Sequence, residues 1–348
     1  LVDMTSTDST IQDDLVRELL QWTDDEDEVM YRDSIRWVRR FVPASDQPLH
    51  RENDKRIPCV LSSSESASID QLRYEAKATA SLSDSQIEIE IVATGLNFSD
   101  VMKALDLYPG LPDGPALMGA ECSGRVSRVG SAVTAFVPGD EVVAIAPGAF
   151  ATHVVVDQCL VARKPRSLSH EQAATIPIAF LTADYALNEC ERIRSGDRVL
   201  INSASGGVGI AATQLALTAG ATVFATAGTE VKREYVRRHG AELVMDSRTL
   251  EFAPETLRYT DGQGIDVILN SLPGQAITKG LSILKTGGRF LEIGKRDIYS
   301  DASLGLEPFQ NNLALFAIDL DQLFREQPDR MGKMLRDLVV RFENGELS

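Results

Sequence analysis

Cysteine and histidine are scarce in this sequence, which narrows the chemistry that it can support. The 348 residues include four of each. The cysteines lie far apart with no C-x-x-C pair; they are Cys59, Cys122, Cys159 and Cys190. Neither paired metal-ligating cysteines nor the dense cysteine framework of a small secreted domain is present. We therefore interpret the four as reduced thiols of a cytoplasmic protein and predict no metal site.

Long apolar runs and an excess of positive charge are missing as well. No stretch approaches the roughly 20 apolar residues of a transmembrane helix, and nothing at the start resembles a signal peptide. Lys and Arg total 35 against 51 Asp and Glu, a formal net charge of −16. Nucleic acid and anionic membranes repel such a chain, so we predict neither as a partner. Its length and its 43% hydrophobic content suit two domains.

The clearest positive signal lies in residues 197–232. The apolar, β-branched run 198–203 predicts a buried parallel strand, 210–220 a helix and 221–227 a second strand. A glycine-rich turn separates the first strand from the helix; it consists of Ala204, Ser205, Gly206, Gly207, Val208 and Gly209. In such a unit the helix N-terminus binds the pyrophosphate of a dinucleotide, although Ala204 replaces the usual first glycine. We predict a dinucleotide-binding site.

The tip of the second predicted strand indicates which dinucleotide. An NAD site usually has an acid there for the ribose 2′-hydroxyl. Thr226 and Gly228 stand at the tip, Glu230 lies beyond it, and Lys232 and Arg233 follow. A neutral tip with neighbouring cations suits a 2′-phosphate, so we predict NADPH. The alternative is that these cations only decorate a solvated helix.

The remaining pattern predicts an α/β fold in two parts. Short strands with Gly and Pro turns over residues 86–156 predict a partly open β-barrel. A helix over 171–190 follows, kinked at Pro177. After residue 240, strands at 243–245, 265–270, 288–294 and 313–318 alternate with helical segments, which predicts a doubly wound parallel sheet. A charged amphipathic helix over 321–345 comes last.

Eight motifs occur in order along the chain, at residues 95–100, 108–110, 148–153, 173–177, 180–183, 205–209, 266–271 and 291–298. On these the chain resembles the medium-chain dehydrogenase/reductase superfamily, with a GroES-like barrel followed by a Rossmann sheet. Within its zinc-independent branch, it resembles the enoyl reductase domains of polyketide and animal-type fatty acid synthases. Residues 304–309 and 318–320 are most similar to iterative, highly reducing synthases.

The resemblance implies a domain plan. Residues 1–45 are similar to the tail of a structural ketoreductase-like subdomain, and 46–69 form a linker. Residues 70–180 form the GroES-like substrate domain, 181–320 the Rossmann NADPH domain and 321–348 a C-terminal helix. The first residue is Leu1, not methionine, and we expect a cut from a longer polypeptide. We also expect the segment that completes the family's barrel to be missing after Ser348.

The resemblance also supplies a reaction: NADPH gives a hydride to the β-carbon of a trans-2-enoyl thioester, and the α-carbon then receives a proton. It implies three catalytic candidates, Lys295, Asp319 and Tyr108. From spacing alone, two simpler roles stay open: Lys295 and Asp319 could form a surface salt bridge, and Tyr108 could be an aromatic residue of the core. Zinc alcohol dehydrogenases of the superfamily have a cysteine where Asn97 stands and a histidine where Ala120 stands, so the resemblance implies no zinc.

Further residues are implied to hold the cofactor. Thr182, Asn270 and Ser271 surround the nicotinamide, Asn97 borders the cleft, and Ser247 and Arg248 cover the 2′-phosphate; Leu272, Ile293 and Gly294 complete the set. The implied partners are an acyl carrier protein domain, a ketoreductase-type domain and a second copy paired through the edge strand 313–318. The alternatives are a free-standing NADPH:quinone or enone reductase, and a non-catalytic scaffold of the same fold.

Overall fold

The computed structural model describes residues 58–62, 68–78, 80–111 and 116–348, together with the backbone of three short strands. These strands are β1 (Val2–Met4), β2 (Val29–Arg32) and β3 (Ile35–Val38). By its contacts the chain divides into two compact units, residues 1–55 and 56–348. In the first unit β1 pairs in parallel with β2, and β2 pairs antiparallel with β3. The rest of the predicted subdomain 1–45 lies outside the described residues.

The barrel part of the second unit is an antiparallel sheet. It is built from β6 (Gln86–Thr94), β7 (Glu121–Val129), β8 (Glu141–Ile145), β9 (His153–Asp157) and β10 (Val161–Arg163). The strand order is β10-β8-β7-β6-β9. Alternate residues of β6, among them Ile87 and Ile89, are fully buried against Val142 and Ala144 of β8, as a half-buried strand requires.

Two short strands extend this barrel part. β4 (Cys59–Ser62) pairs antiparallel with β5 (Arg73–Ala76), and Val60 forms a bridge to Ala151. Residues 59–62 fall inside the segment predicted as a linker, so that prediction is wrong for them. Most of the remaining linker lies outside the described residues.

The second part contains a six-stranded, all-parallel sheet, which confirms the predicted doubly wound fold. Its strands are β11 (Arg198–Ile201), β12 (Thr222–Ala227), β13 (Leu243–Asp246), β14 (Ile265–Asn270), β15 (Leu284–Glu292) and β16 (Ala314–Ala317). The order β13-β12-β11-β14-β15-β16 is that of a dinucleotide-binding sheet. The order reverses between β11 and β14, so their carboxyl ends open a crevice for a ligand.

Ten α-helices are described. They are α1 (Phe98–Ala104), α2 (His170–Ala173), α3 (Pro177–Asp184), α4 (Gly207–Thr218), α5 (Glu230–Arg238), α6 (Phe252–Tyr259), α7 (Gln275–Leu281), α8 (Arg296–Tyr299), α9 (Leu320–Glu326) and α10 (Pro328–Glu343). A π-helix, Tyr185–Cys190, and three 3-10 helices, Ile69–Gln71, Gln158–Leu160 and Glu307–Asn311, are also present. Every described helix is too short or too polar to cross a bilayer.

Two predicted helices are divided by proline. Pro177 begins α3 instead of kinking one helix over 171–190, because a proline at the first helical position needs no N–H partner. Pro328 likewise separates α9 from α10, where a single helix was predicted. Helix α10 packs on the barrel part, where a side chain at Gly332 would overlap the carbonyl of Cys159. The barrel and the parallel sheet are thereby joined through the C-terminal helix.

Candidate functional site

The glycine-rich turn has the shape of a pyrophosphate site. Gly206 caps helix α4 and, like Gly207, is exposed. The first N–H groups of the helix have no partner within the helix and can bind an anion. A Cβ at Gly209 would lie 2.5 Å from the Cα of Ala204, so only glycine permits this packing. The buried Ala204 donates its N–H to the carbonyl of Thr226 at 2.9 Å, which ties the turn to β12.

Two cations follow neighbouring strand ends: Lys232 comes after β12 and Arg248 after β13. A Cβ at Gly228 would lie 3.3 Å from Arg248 Nε and 3.5 Å from Ser247 Oγ, so these groups lie against the tip. Among the described residues, no group forms a hydrogen bond or ion pair with the side chain of Arg248 or of Lys232. Arg233 is instead held by Glu230 and by Asp246 of β13. Within the part of the chain that the structure describes, the nearby acids Glu230 and Asp246 are thus paired with arginine, while Arg248 and Lys232 keep free positive charge.

Lys295, Asp319 and Tyr108 come together at the carboxyl edge of the sheet. The Lys295 ammonium lies 2.7 Å from Asp319 Oδ1 and 2.9 Å from Asp321 Oδ2, and its side chain is 15% exposed. The Tyr108 hydroxyl donates to Asp321 Oδ2 at 2.5 Å, and the ammonium lies 4.6 Å from the Tyr108 ring centroid. Tyr299 donates to Asp319 at 2.7 Å. One lysine is thus held by two carboxylates, each also bound by a tyrosine.

Asp321 was missed by the sequence analysis. It lies two residues after Asp319 and accepts from both Lys295 and Tyr108. Burial would raise the pKa of Asp321, but the hydrogen bonds from Tyr108 and Lys295 outweigh it and hold that pKa below its usual value. Burial, followed by the charge of Asp321, raises the pKa of Tyr108 far above its usual value. Tyr108 is therefore a neutral donor, and Asp321 is ionised.

The side chains of Thr226 and Asn270, two of the predicted cofactor residues, are turned into the protein. Each is fully buried. The Thr226 hydroxyl donates to Asn202 Oδ1 at 3.0 Å, and the Asn202 amide donates to Asn270 Oδ1 at 2.7 Å. Asn270 Nδ2 donates to Glu292 Oε2 at 2.5 Å. These residues link neighbouring strand ends below the crevice, where only their backbone can meet a cofactor.

The other predicted nicotinamide contacts lie around the same crevice. Ser271 and Leu272 directly follow β14, while Ile293 and Gly294 directly follow β15. A Cβ at Gly294 would lie 3.5 Å from the Ser271 carbonyl oxygen, so the two turns adjoin. Leu272 and Ile293 pack against core residues. Thr182, half-buried in α3, donates its hydroxyl to the carbonyl of Ile178 at 2.7 Å.

Asn97 is fixed from the barrel side by a buried carboxylate. Its Nδ2 donates to Glu121 Oε1 at 2.7 Å, and the N–H of Ile178 donates to Glu121 Oε2 at 2.7 Å. Glu121 is 2% exposed. Burial raises its pKa to about 7 although both hydrogen bonds oppose the shift. Among the described residues, no three His, Cys, Asp or Glu side chains cluster as metal ligands would.

Two family models match the two parts of the chain. Residues 83–166 match the alcohol dehydrogenase GroES-like domain, and residues 207–338 match the zinc-binding dehydrogenase model. These ranges correspond to the barrel sheet and to most of the parallel sheet with helix α10.

Relatives and solved structures match most of the chain. Over 347 residues, the chain is 40% identical to a phenolphthiocerol/phthiocerol polyketide synthase of Mycobacterium tuberculosis; the match covers 96% of the chain and 16% of that relative. The CurK enoyl reductase structure is 36% identical, with a TM-score of 0.77 over 84% of the chain and 90% of its own. An Escherichia coli quinone oxidoreductase complexed with NADPH is 26% identical, with a TM-score of 0.74; the match covers 83% of this chain and 89% of that structure.

Proposed function

The chain belongs to the medium-chain dehydrogenase/reductase superfamily, among the enoyl reductases of polyketide synthases, and from this membership we propose that it reduces trans-2-enoyl thioesters with NADPH. The observation that carries the proposal is the position of Lys295 and Tyr108. Both protonated groups lie at the carboxyl edge of the parallel sheet, where doubly wound folds place their ligands. Reduction of a conjugated double bond needs proton donors at that place.

The residues at the glycine-rich turn fit a nicotinamide dinucleotide. The exposed Gly206 and Gly207 leave the N-terminus of α4 open to the pyrophosphate. Arg248 and Lys232 supply the positive charge for a 2′-phosphate. Among the described residues neither side chain has a partner for its charge, which favours NADPH over NADH. When bound, the cofactor would supply the hydride for the β-carbon.

The chain's own residues then handle charge and proton. Negative charge develops on the thioester oxygen as the β-carbon is reduced, and fixed donors stabilise it. Lys295 contacts Asp319 and Asp321, and its ammonium group can donate one further hydrogen bond. Tyr108 is neutral at pH 7, and its hydroxyl is oriented by the hydrogen bond to Asp321. We assign delivery of the α-carbon proton to this Lys295–Tyr108 pair.

Exposed apolar side chains on the barrel side suit an acyl substrate. Leu96 and Phe98 flank the buried Asn97 contact and are 74% and 77% exposed, and Leu107 beside Tyr108 is 60% exposed. A thioester chain would cover part of this apolar surface. The acyl group would arrive on an acyl carrier protein domain. We assign its docking to Arg296 beside Lys295 and to Lys103, because the net charge of −16 otherwise opposes an acidic carrier.

The test uses labelled cofactor and solvent. The protein is given a crotonyl-pantetheine thioester with NADPH deuterated at the transferred position, and the product is analysed by mass spectrometry and NMR. We expect deuterium from NADPH at the β-carbon, and deuterium from heavy water at the α-carbon in a second experiment. Failure to reduce the thioester with either cofactor would contradict the proposal.

The second candidate is an NADPH:quinone oxidoreductase, favoured by similarity to the Escherichia coli enzyme. The same assay with a quinone distinguishes the two. A kcat/KM that is higher for the quinone than for the thioester would replace the first proposal.

A carrier linked in cis should raise turnover more than the same carrier added in trans, because a tether supplies a roughly millimolar effective concentration.

A further inference from the structure

Four buried polar side chains form a continuous hydrogen-bonded row across the carboxyl edge of the parallel sheet. Thr226 is the penultimate residue of β12, Asn202 follows β11, Asn270 ends β14 and Glu292 ends β15; these four strands are adjacent in the sheet. All four residues are at most 4% exposed. The sequence predicted no hydrogen bond among these four residues, and the proposed reaction does not use Glu292.

Along the row, each side chain donates a hydrogen bond to its neighbour on the Glu292 side. The Ser203 N–H donates to Thr226 Oγ1 at 3.1 Å, and Thr226, Asn202 and Asn270 donate in turn along the row. Glu292 is the last acceptor and takes two hydrogen bonds. An ionised carboxylate has no proton to donate and suits this end position. The direction of each amide in the row therefore depends on the charge of Glu292.

The second hydrogen bond of Glu292 reaches the turn that precedes Lys295. The Gly294 N–H donates to Glu292 Oε1 at 2.5 Å. A Cβ at Gly294 would lie 2.6 Å from that same oxygen, so the turn is pressed against the carboxylate. Asn270, on the other side of Glu292, binds both the N–H and the carbonyl of Leu272. Glu292 thus lies between the turns after β14 and β15.

We propose that Glu292 is a positioning residue, which in its ionised form holds the Gly294 turn so that Lys295 sits in its place between Asp319 and Asp321. The inference deepens the proposed enoyl reduction and rests on it where activity is the readout. Protonation would give Glu292 an O–H that faces two donors, Asn270 Nδ2 and the Gly294 N–H. One of these hydrogen bonds would then be lost, and the turn would loosen.

Burial raises the pKa of Glu292 to about 7, against the lowering effect of Asn270 and Gly294. Asp297 of α8 adds to the rise through its negative charge. The two cations three residues away along the chain are both paired: Arg289 with Glu191, and Lys295 with Asp319 and Asp321. Because the folded-state pKa lies above that of an unfolded glutamate, the ionised side chain costs stability at neutral and higher pH. A neutral isostere should remove this cost.

The test compares Glu292→Gln with Glu191→Gln. Glu191 is a matched control, because burial also raises its pKa to about 7 and its side chain is 7% exposed, yet it pairs with Arg289 and lies outside the row. We expect Glu292→Gln to lower kcat about tenfold, as loss of one hydrogen bond to a charged acceptor would, while its Tm is unchanged or raised. Wild-type activity should fall as the pH drops below about 7. The activity of Glu292→Gln should not show this fall.

A second readout needs no activity. In the cofactor-free protein, deuterium uptake of the peptide that spans residues 290–296 should be faster in Glu292→Gln than in wild type and unchanged in Glu191→Gln. The inference would be overturned if deuterium uptake were unchanged in Glu292→Gln, or if the activity of that variant still fell below about pH 7. A wild-type protein that reduces no enoyl thioester would instead refute the proposed function, and deuterium uptake would still decide the role of Glu292.

Discussion

Replacing Asp321 by asparagine tests the arrangement around Lys295 most directly. The carboxylate accepts one hydrogen bond from Tyr108 and one from Lys295, at 2.5 and 2.9 Å. Asparagine keeps the shape and removes the charge. Each hydrogen bond then loses about 1 kcal/mol of charge assistance, so the two together lose about 2 kcal/mol. If both groups must be held in place for proton delivery, kcat should fall about thirtyfold.

The assay is steady-state reduction of crotonyl-pantetheine by NADPH. The KM for NADPH should stay near the wild-type value, because Asp321 does not contact the glycine-rich turn. Asp301→Asn is the matched control: Asp301 is exposed and has φ +52°, a conformation that asparagine tolerates. It should leave kcat unchanged.

A double-mutant cycle decides whether the effect passes through Tyr108. Tyr108→Phe removes one of the two hydrogen bonds to Asp321, so the combined variant should lose less than the sum of the two single losses. Strict additivity, or an unchanged kcat in Asp321→Asn, would show that Asp321 is only a partly exposed salt-bridge partner and would refute the reasoning.

Three further predictions concern the cofactor and the sheet edge. Arg248→Ala should raise the KM for NADPH at least about tenfold and leave that for NADH unchanged, whereas Arg238→Ala, paired on the helix surface with Glu234, should change neither. Gly209→Ala should lower stability by about 1–3 kcal/mol in denaturant unfolding, with loss of NADPH binding, because its Cβ would meet the Ala204 backbone; Gly305→Ala, with open space around it, should do neither. Ala317→Pro should convert the proposed dimer into a folded monomer in sedimentation. The Ile318 N–H donates to the Glu292 carbonyl of β15, so the preceding N–H, that of Ala317, points to the open edge where a second copy would pair.

Ala317 is a better position for this test than Leu315. The structure confirms that the strand predicted at 313–318 lies at the edge of the sheet. Leu315, however, packs against the core below the sheet. A charge there would damage the fold and the edge together, so a monomer would prove nothing about dimerisation. The exposed Ala317 separates the two effects.

The sequence by itself determined the parallel sheet and the glycine-rich turn, and it placed Lys295 and Asp319 after two successive strands; the family resemblance paired them. These follow from local signals, namely apolar runs and glycine spacing, and from the rule that parallel strands share one carboxyl edge. The family resemblance added Tyr108, which no spacing would have placed beside Lys295.

Only the tertiary structure decided which side chains at that edge face the crevice and which lie beneath it. Thr226 and Asn270 stand at strand ends, as cofactor contacts do, yet both are turned inward and joined to Glu292. Asp321 is one of two aspartates in the segment 319–321, and the sequence does not show which of them Tyr108 meets. Strand ends are fixed by local pattern, whereas hydrogen-bond partners are fixed by the register between strands and by the loops packed over them. That register depends on residues far apart in the chain, so it exists only in the folded molecule.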